Sequence, residues 1–161
     1  MQVDRMTVRS NPDSADFASR ETVLTLTHNP EFGEHHNAGH ITFGPDGYLW
    51  ITVGDGEAPQ EAAIATNTGD LRGSILRIRV DGAPLPAEYT VPLDNPFARG
   101  PGSSRQEVYM YGLRNPWRIA FDAGPDLIDI ADVGENRREE LNVVSRTAGG
   151  TNFGWNVLEG S

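Results

Sequence analysis

The 161-residue sequence contains no cysteine, no lysine and no long uninterrupted apolar run. Without cysteine, the chain can form no disulfide, no catalytic thiolate and no zinc–sulfur site. Since no run approaches the roughly 18 apolar residues of a membrane-spanning helix, we expect no membrane insertion. The polar residues after Met1 also lack the apolar stretch of a signal peptide. The sequence therefore predicts a soluble chain with no export signal of its own.

Basic residues are scarce relative to acidic ones. The chain carries 13 basic residues, all arginine, against 23 acidic residues, for a formal net charge of −10. A surface of this sign repels nucleic acid phosphates and anionic lipid headgroups. Nucleic acid and membrane surfaces are therefore excluded as expected partners.

The composition and the turn signals indicate an all-β fold. With 18 glycines and 11 prolines, the chain favours many short elements joined by turns. Strand-like runs occupy residues 6–9, 23–27, 40–43, 48–53, 74–80, 107–111, 117–121, 127–131 and 140–144. Residues 74–80 alternate apolar and basic side chains, which predicts a strand with one solvent-exposed face. Residues 60–66 are predicted to form one or two helical turns.

An internal repeat specifies the kind of β fold. The runs 41–43 and 119–121 are each followed by a Gly-Pro-Asp turn, an alternating strand and a glycine–acid pair, Gly54-Asp55 or Gly134-Glu135. Such repeated strand–turn–strand units are typical of propeller blades and favour a β-propeller over a sandwich. About two blades plus leading strands cannot close a ring. We therefore expect residues 1–161 to be a single fragment of a longer propeller, with N- and C-terminal blades missing.

The strand ends carry a candidate catalytic pair. His36 is a candidate general base, because imidazole titrates near neutral pH, and Asp55 could orient it. The alternative is that His35 and His36 are simply solvated at a loop edge. His36 and His40 have the i, i+4 spacing of metal ligands, but the residues between them are not helical in character, which weakens a zinc interpretation.

Two further segments could bind a cofactor or a metal. Arg114 and Asn115 place a cation beside an amide, a combination suited to an oxyanion or a carbonyl. The alternative is a structural turn in which Arg114 pairs with a carboxylate. Gly134-Glu135 could present backbone carbonyls to Ca²⁺, which takes oxygen ligands. A plain bulge is the alternative there, and the acidic residues do not have the spacing of an EF-hand.

Eight short segments occur in a defined order: HNAGHITFGPDG (36–47), GD (54–55), LRGSILRI (71–78) with DG (81–82), DNPF (94–97), GLRNPW (112–117), DVGEN (132–136), ELN (140–142) and NFGW (152–155) with EG (159–160). Each segment alone is a weak signal. In combination and order they resemble the soluble glucose/sorbosone dehydrogenase family. That family includes the pyrroloquinoline quinone (PQQ)-dependent aldose sugar dehydrogenases and the propeller of the animal hedgehog-interacting protein. The resemblance runs from about Asp4 to the end of the chain.

The resemblance implies a six-bladed propeller and a mechanism. The residue matching His36 takes the proton from the anomeric hydroxyl of an aldose, and the residue matching Asp55 supports that histidine. Arg114 and Asn115 match the pair that contacts the quinone oxygens of PQQ. Gly134 and Glu135 match the carbonyls that hold the active-site Ca²⁺. An external electron acceptor and a periplasmic or extracellular location are implied in the same way.

The chain departs from the dehydrogenase pattern at two positions. His35 stands where an aspartate commonly precedes the catalytic histidine, and the metal segment reads Val-Gly-Glu (133–135) instead of Gln-Gly-Pro. Asp-Val-Gly is common in the branch nearer the hedgehog-interacting proteins. A non-catalytic, calcium-stabilised propeller that binds a protein or glycan is therefore one alternative, and a calcium-dependent lactonase-type hydrolase is a second. The basic residues that grip the PQQ carboxylates in the family come from later blades, so we expect the isolated chain to be inactive.

Overall fold

The computed structural model describes residues 1–26, 35–37, 39–57, 63–82, 88–100, 102–124 and 126–160. Within these ranges every regular element is a β-strand, which confirms the all-β prediction. The strands are β1 (Gln2–Val8), β2 (Ala15–Thr25), β3 (Ile41–Phe43), β4 (Leu49–Val53), β5 (Ser74–Ile78), β6 (Val108–Tyr111), β7 (Pro116–Phe121), β8 (Leu127–Asp132) and β9 (Glu140–Ser145). Of the predicted helical turns, 60–62 lie outside the described residues, and 63–66 form turns.

Strands that follow one another in sequence pair antiparallel in three sheets. The sheets are β1-β2, β3-β4-β5-β6 and β7-β8-β9. The Gly-Pro-Asp-Gly turn closes the β3-β4 hairpin: the Gly44 N–H donates to the Tyr48 carbonyl at 2.9 Å, and Gly47 has a φ of 78°. Such a positive φ is readily available only to glycine. The predicted turn chemistry therefore sets the register of the hairpin.

The four-stranded sheet lies between the other two sheets. Leu49, Ile51 and Val53 of β4 point to one face, where they pack with residues of β1 and β2. Trp50 points to the opposite face, where its ring meets Tyr109 and Phe121 edge-on, with centroids 4.9 and 5.2 Å apart. Because side chains alternate along a strand, a strand covered on both faces is apolar throughout. The sheets therefore stack face to face, as successive blades do.

One sequence-based prediction is wrong: β5 has no solvent-exposed face. All five residues of Ser74–Ile78 are buried, and Arg77 is only 4% exposed. The Arg77 guanidinium donates through Nε to Asp46 at 2.9 Å and through Nη1 and Nη2 to Asp94 at 3.0 and 3.1 Å. It also lies 4.4 Å from the centre of the Tyr48 ring. Paired charges and aromatic contacts thus allow a charged side chain inside the sheet stack.

Apolar side chains are exposed at the two outer sheets of the stack. Val8 of β1 and Phe17 of β2 are 60% and 75% exposed, and Leu141 and Val143 of β9 are 69% and 50% exposed. The described residues therefore leave apolar faces uncovered at both ends of the stack. No helix in the described part of the chain has the length and hydropathy needed to cross a membrane.

Candidate active site

Backbone hydrogen bonds join the segment 35–37 and the loops that follow β4, β6 and β8 in series. The Asp55 N–H donates to the Arg114 carbonyl at 2.8 Å, and the Gly56 N–H donates to the His36 carbonyl at 3.3 Å. The Val133 N–H donates to the Asn115 carbonyl at 3.2 Å. The structure therefore brings together the loops of all the predicted site residues.

His36 and Asp55 form a direct hydrogen-bonded pair. The His36 Nδ1 atom lies 2.7 Å from Asp55 Oδ1, and the two side chains are only 12% and 11% exposed. An ionised carboxylate can only accept, so Nδ1 carries the proton, and in the neutral imidazole Nε2 has a free lone pair. This arrangement leaves His36 able to take a proton from a substrate hydroxyl. The alternative of a freely solvated His36 is not what the structure shows.

The electrostatic state of Asp55 follows from its surroundings. Burial alone would raise the pKa of Asp55, but three hydrogen bonds outweigh it and hold the pKa below its ordinary value. The donors are His36, the Glu57 backbone N–H at 2.9 Å and the Trp155 indole Nε1–H at 2.8 Å. Asp55 is therefore ionised at neutral pH, as a carboxylate that orients a general base must be.

The backbone of His36 has an unusual conformation. Its φ is 52°, a left-handed value that few residues other than glycine adopt. A Cβ added at Gly54 would overlap the carbonyl group of His36, so the glycine of the Gly54-Asp55 pair allows the two loops to approach. Strained backbone held in place by close packing is a common feature of functional sites. The glycine in the predicted pair therefore has a steric role.

Arg114 and Asn115 are held by a buried carboxylate that sequence reasoning gave no role. Their backbone N–H groups donate to the two carboxylate oxygens of Asp132, at 2.9 and 2.6 Å. Burial raises the pKa of Asp132 to about 6, against the effect of these two hydrogen bonds. The sequence placed Asp132 in a family motif, but no spacing rule linked it to a loop 17 residues earlier.

The side chains of Arg114 and Asn115 are available for further contacts. Arg114 Nη1 donates to the Val133 carbonyl at 3.1 Å, and the guanidinium lies 5.5 Å from the centre of the Trp155 ring. Among the described residues Arg114 forms no ion pair, so the alternative of a carboxylate-paired structural arginine gains no support. The Asn115 side-chain amide makes no hydrogen bond to any described residue.

The Gly134-Glu135 loop is organised around Glu159, a second residue without a predicted role. One carboxylate oxygen of Glu159 accepts the backbone N–H groups of residues 135–138, at 2.7, 2.7, 2.9 and 3.5 Å. The Arg137 N–H, together with its neighbours, lowers the pKa of Glu159 to about 2. A Cβ at Gly134 would overlap the Arg138 carbonyl, so only glycine fits where the loop closes on itself. The segment is a wrapped loop and not a simple bulge.

Replacing Glu159 with alanine is expected to loosen this loop. The four N–H groups would lose a charged acceptor, so amide hydrogen exchange at 135–137 should accelerate roughly tenfold. Arg137→Ala is the matched control, because it removes a side chain from the same loop and leaves every N–H in place. Unchanged protection in Glu159→Ala would contradict the assigned contact.

The described ranges contain no group of three or more His, Cys, Asp or Glu side chains placed to hold a metal. An ion at this site would therefore depend on backbone carbonyls for its protein ligands. The lactonase-type alternative, which needs carboxylate side chains around a central metal, gains no support from the described residues.

The chain is similar to several known proteins. The Glucose / Sorbosone dehydrogenase family profile matches residues 1–161. The HIPL1 protein of Arabidopsis thaliana is 39% identical over 163 residues, covering 94% of this chain and 23% of the relative. The human Hedgehog-interacting protein is 32% identical over 123 residues, covering 76% of this chain and 17% of the relative.

A solved glucose dehydrogenase has the same fold. It superposes with a TM-score of 0.78 at 26% sequence identity, covering 98% of this chain and 41% of that chain. The predicted partial β-propeller is thereby confirmed. The chain spans less than half the length of each of these proteins. With the family profile matched from end to end, the chain belongs to the glucose/sorbosone dehydrogenase family.

Proposed function

We propose that this chain is part of a PQQ-dependent dehydrogenase that oxidises an aldose sugar at its anomeric carbon. The observation that carries the proposal is the His36–Asp55 pair, hydrogen-bonded at 2.7 Å and joined through backbone contacts to the loop of Arg114 and Asn115. A general base beside a cation and an amide is the set of groups that proton removal coupled to hydride transfer requires.

The donors present fit a quinone. Of the five N–H donors of the Arg114 guanidinium, the described contacts use one, on the Val133 carbonyl. Asn115 as a whole is 9% exposed, and its side-chain amide has no partner among the described residues. Both side chains therefore favour a bound group with carbonyl oxygens.

The loop after β8 fits a calcium ion. Because the N–H groups of residues 135–137 point toward Glu159, trans-peptide geometry turns the carbonyls of Gly134 and Glu135 away from that carboxylate. Carbonyl oxygens are preferred ligands of Ca²⁺. We propose that these two carbonyls would hold the ion.

The residues of the chain have separate roles in the proposed reaction. When bound, PQQ would accept a hydride from the anomeric carbon of the sugar, with Ca²⁺ polarising a quinone carbonyl as a Lewis acid. His36 takes the anomeric hydroxyl proton at Nε2, and ionised Asp55 stabilises the imidazolium that results. Arg114 and Asn115 orient the cofactor and donate hydrogen bonds where negative charge develops on its oxygens.

We also propose that residues 1–161 are one piece of a longer propeller. The apolar faces marked by Phe17 and Leu141 would be covered by further blades. The share of the solved dehydrogenase that the chain covers, 41%, supports this. A periplasmic or extracellular location and an external electron acceptor are proposed on family membership alone.

The test is reconstitution of the protein, with any native flanking sequence, with PQQ and Ca²⁺. We expect aldose-dependent reduction of an artificial electron acceptor, and bleaching of the bound quinone spectrum by sugar. The isolated 161-residue chain should be inactive, since it lacks the later-blade residues that hold the PQQ carboxylates in the family. Failure of a correctly folded protein to take up PQQ would contradict the proposal.

The second candidate is a propeller that binds a protein or glycan without turnover. The identity of 32% to the human Hedgehog-interacting protein supports it. This candidate predicts calcium binding without PQQ uptake and no acceptor reduction with any aldose. The same reconstitution therefore separates the two functions.

A further inference from the structure

Trp155 joins two parts of the site that are distant in sequence. Its indole Nε1–H donates to Asp55 Oδ2 at 2.8 Å, across 100 residues of chain. The same ring lies under the Arg114 guanidinium, with 5.5 Å between the ring centre and the guanidinium carbon Cζ. One rigid side chain thus contacts the carboxylate that orients His36 and the guanidinium of the neighbouring loop.

The backbone around Trp155 is itself fixed to the site. The Trp155 N–H donates to the Gly112 carbonyl at 3.0 Å, and the Phe153 N–H donates to the Tyr111 carbonyl at 3.0 Å. The segment 153–155 therefore runs beside the end of β6 and beside Gly112, which lies two residues before Arg114. Trp155 is held at both its backbone and its ring nitrogen, which leaves the side chain little freedom.

The hydrogen bond from Trp155 determines the orientation of Asp55. Asp55 Oδ1 already accepts from His36 and from the Glu57 N–H, whereas Oδ2 accepts from Trp155. Without the indole N–H, the carboxylate could rotate about its Cβ–Cγ bond while still touching His36. The position of the imidazole would then be less defined.

We propose that Trp155 is a positioning residue of the site, whose indole N–H fixes Asp55 and whose ring supports Arg114. The inference rests on the proposed function for its effect on turnover, but the contact it assigns is independent of that function. Trp155→Phe removes the N–H and keeps an aromatic ring beneath Arg114. Trp155→Ala removes both.

The matched control is Trp117→Phe, since the Trp117 side chain is 55% exposed. In Trp155→Phe we expect kcat to fall roughly tenfold, because a hydrogen bond to a charged acceptor is lost. KM for the sugar should change little. Trp155→Ala should in addition weaken PQQ binding, because Arg114 loses the ring beneath it.

A readout that does not depend on turnover is the titration of the Asp55 carboxyl followed by ¹³C NMR. The indole hydrogen bond favours the ionised form, so its loss in Trp155→Phe should move the pKa of Asp55 upward. The titratable and charged groups around Asp55 (His36, Arg114 and Asp132) are the same in both variants, and Trp117→Phe should leave the titration unchanged.

The outcomes separate the two proposals. If the wild-type protein oxidises no aldose but the Asp55 titration moves in Trp155→Phe, the proposed function fails and the contact stands. If the titration and kcat both match the wild type, the positioning role is overturned while the proposed function survives. If Trp155→Phe does not fold, hydrogen exchange of the indole N–H groups in the wild-type protein tests the positioning role instead. Exchange at Trp155 as fast as at exposed Trp117 would overturn that role.

Discussion

Replacing His36 with alanine is expected to lower the rate of aldose oxidation by about 10²- to 10⁴-fold, the usual contribution of a general base. The His36 side chain is 12% exposed and hydrogen-bonded to an ionised Asp55, so its Nε2 atom is the basic nitrogen of the pair. PQQ affinity should fall only modestly, because the proposed cofactor contacts belong to other residues. Steady-state kinetics of the reconstituted protein would measure kcat, and a quinone titration would measure cofactor binding.

The neighbouring histidine provides the control for this prediction. His35 is exposed and precedes His36 directly, so His35→Ala removes an imidazole from the same loop. We expect nearly wild-type turnover in that variant. A His36→Ala protein that keeps its full rate would dismiss His36 as the base, whatever the family membership of the chain.

Replacing Arg77 with leucine is expected to reduce the free energy of unfolding by about 3–5 kcal/mol, the usual cost of removing one partner from a buried ion pair. Asp46 is 11% exposed and would keep the more distant Arg146, at 3.6 Å, as its ion-pair partner, whereas Asp94 is 68% exposed and would be solvated by water. Most of the loss therefore comes from Asp46. Urea denaturation of the folded protein would measure the difference.

Two further variants test the cause of that loss. Arg79 lies two residues along the chain and is exposed, so Arg79→Leu should change stability by less than about 0.5 kcal/mol. Adding Asp46→Asn to the Arg77→Leu protein should recover part of the lost stability, because it removes a charge whose remaining ion-pair partner is Arg146, 3.6 Å away. A double variant no more stable than Arg77→Leu would assign the loss to packing.

Local sequence features were sufficient to predict the strands. Each of the nine predicted runs overlaps a strand of the structure, because apolar alternation and Gly-Pro-Asp turns act over a few residues. The β3-β4 hairpin is the clearest case, since its turn residues supply the positive φ at Gly47 that the chain reversal needs. The glycine–acid repeat likewise marked the ends of β4 and β8, where both candidate loops begin.

The burial of Arg77 could not be predicted in the same way. An alternating pattern of apolar and basic residues is typical of a half-exposed strand, and only the stacking of three sheets shows that both faces of β5 are covered. The partners of Arg77 come from the β3-β4 turn and from Asp94, which are 31 and 17 residues away. Contacts between residues this far apart in sequence cannot be recognised from a short stretch of the sequence.

The sequence by itself determined where the strands and turns lie along the chain and which family motifs it contains, since these depend on residues close together in the chain. It also indicated the candidate residues His36, Asp55, Arg114, Asn115, Gly134 and Glu135. Only the tertiary structure decided that Trp155 contacts Asp55, that Asp132 holds the loop of Arg114, and that Glu159 orders the loop of Gly134. The physical reason is that such hydrogen bonds depend on how the sheets stack. Sheet stacking results from apolar burial over the whole chain and is not specified by any one segment.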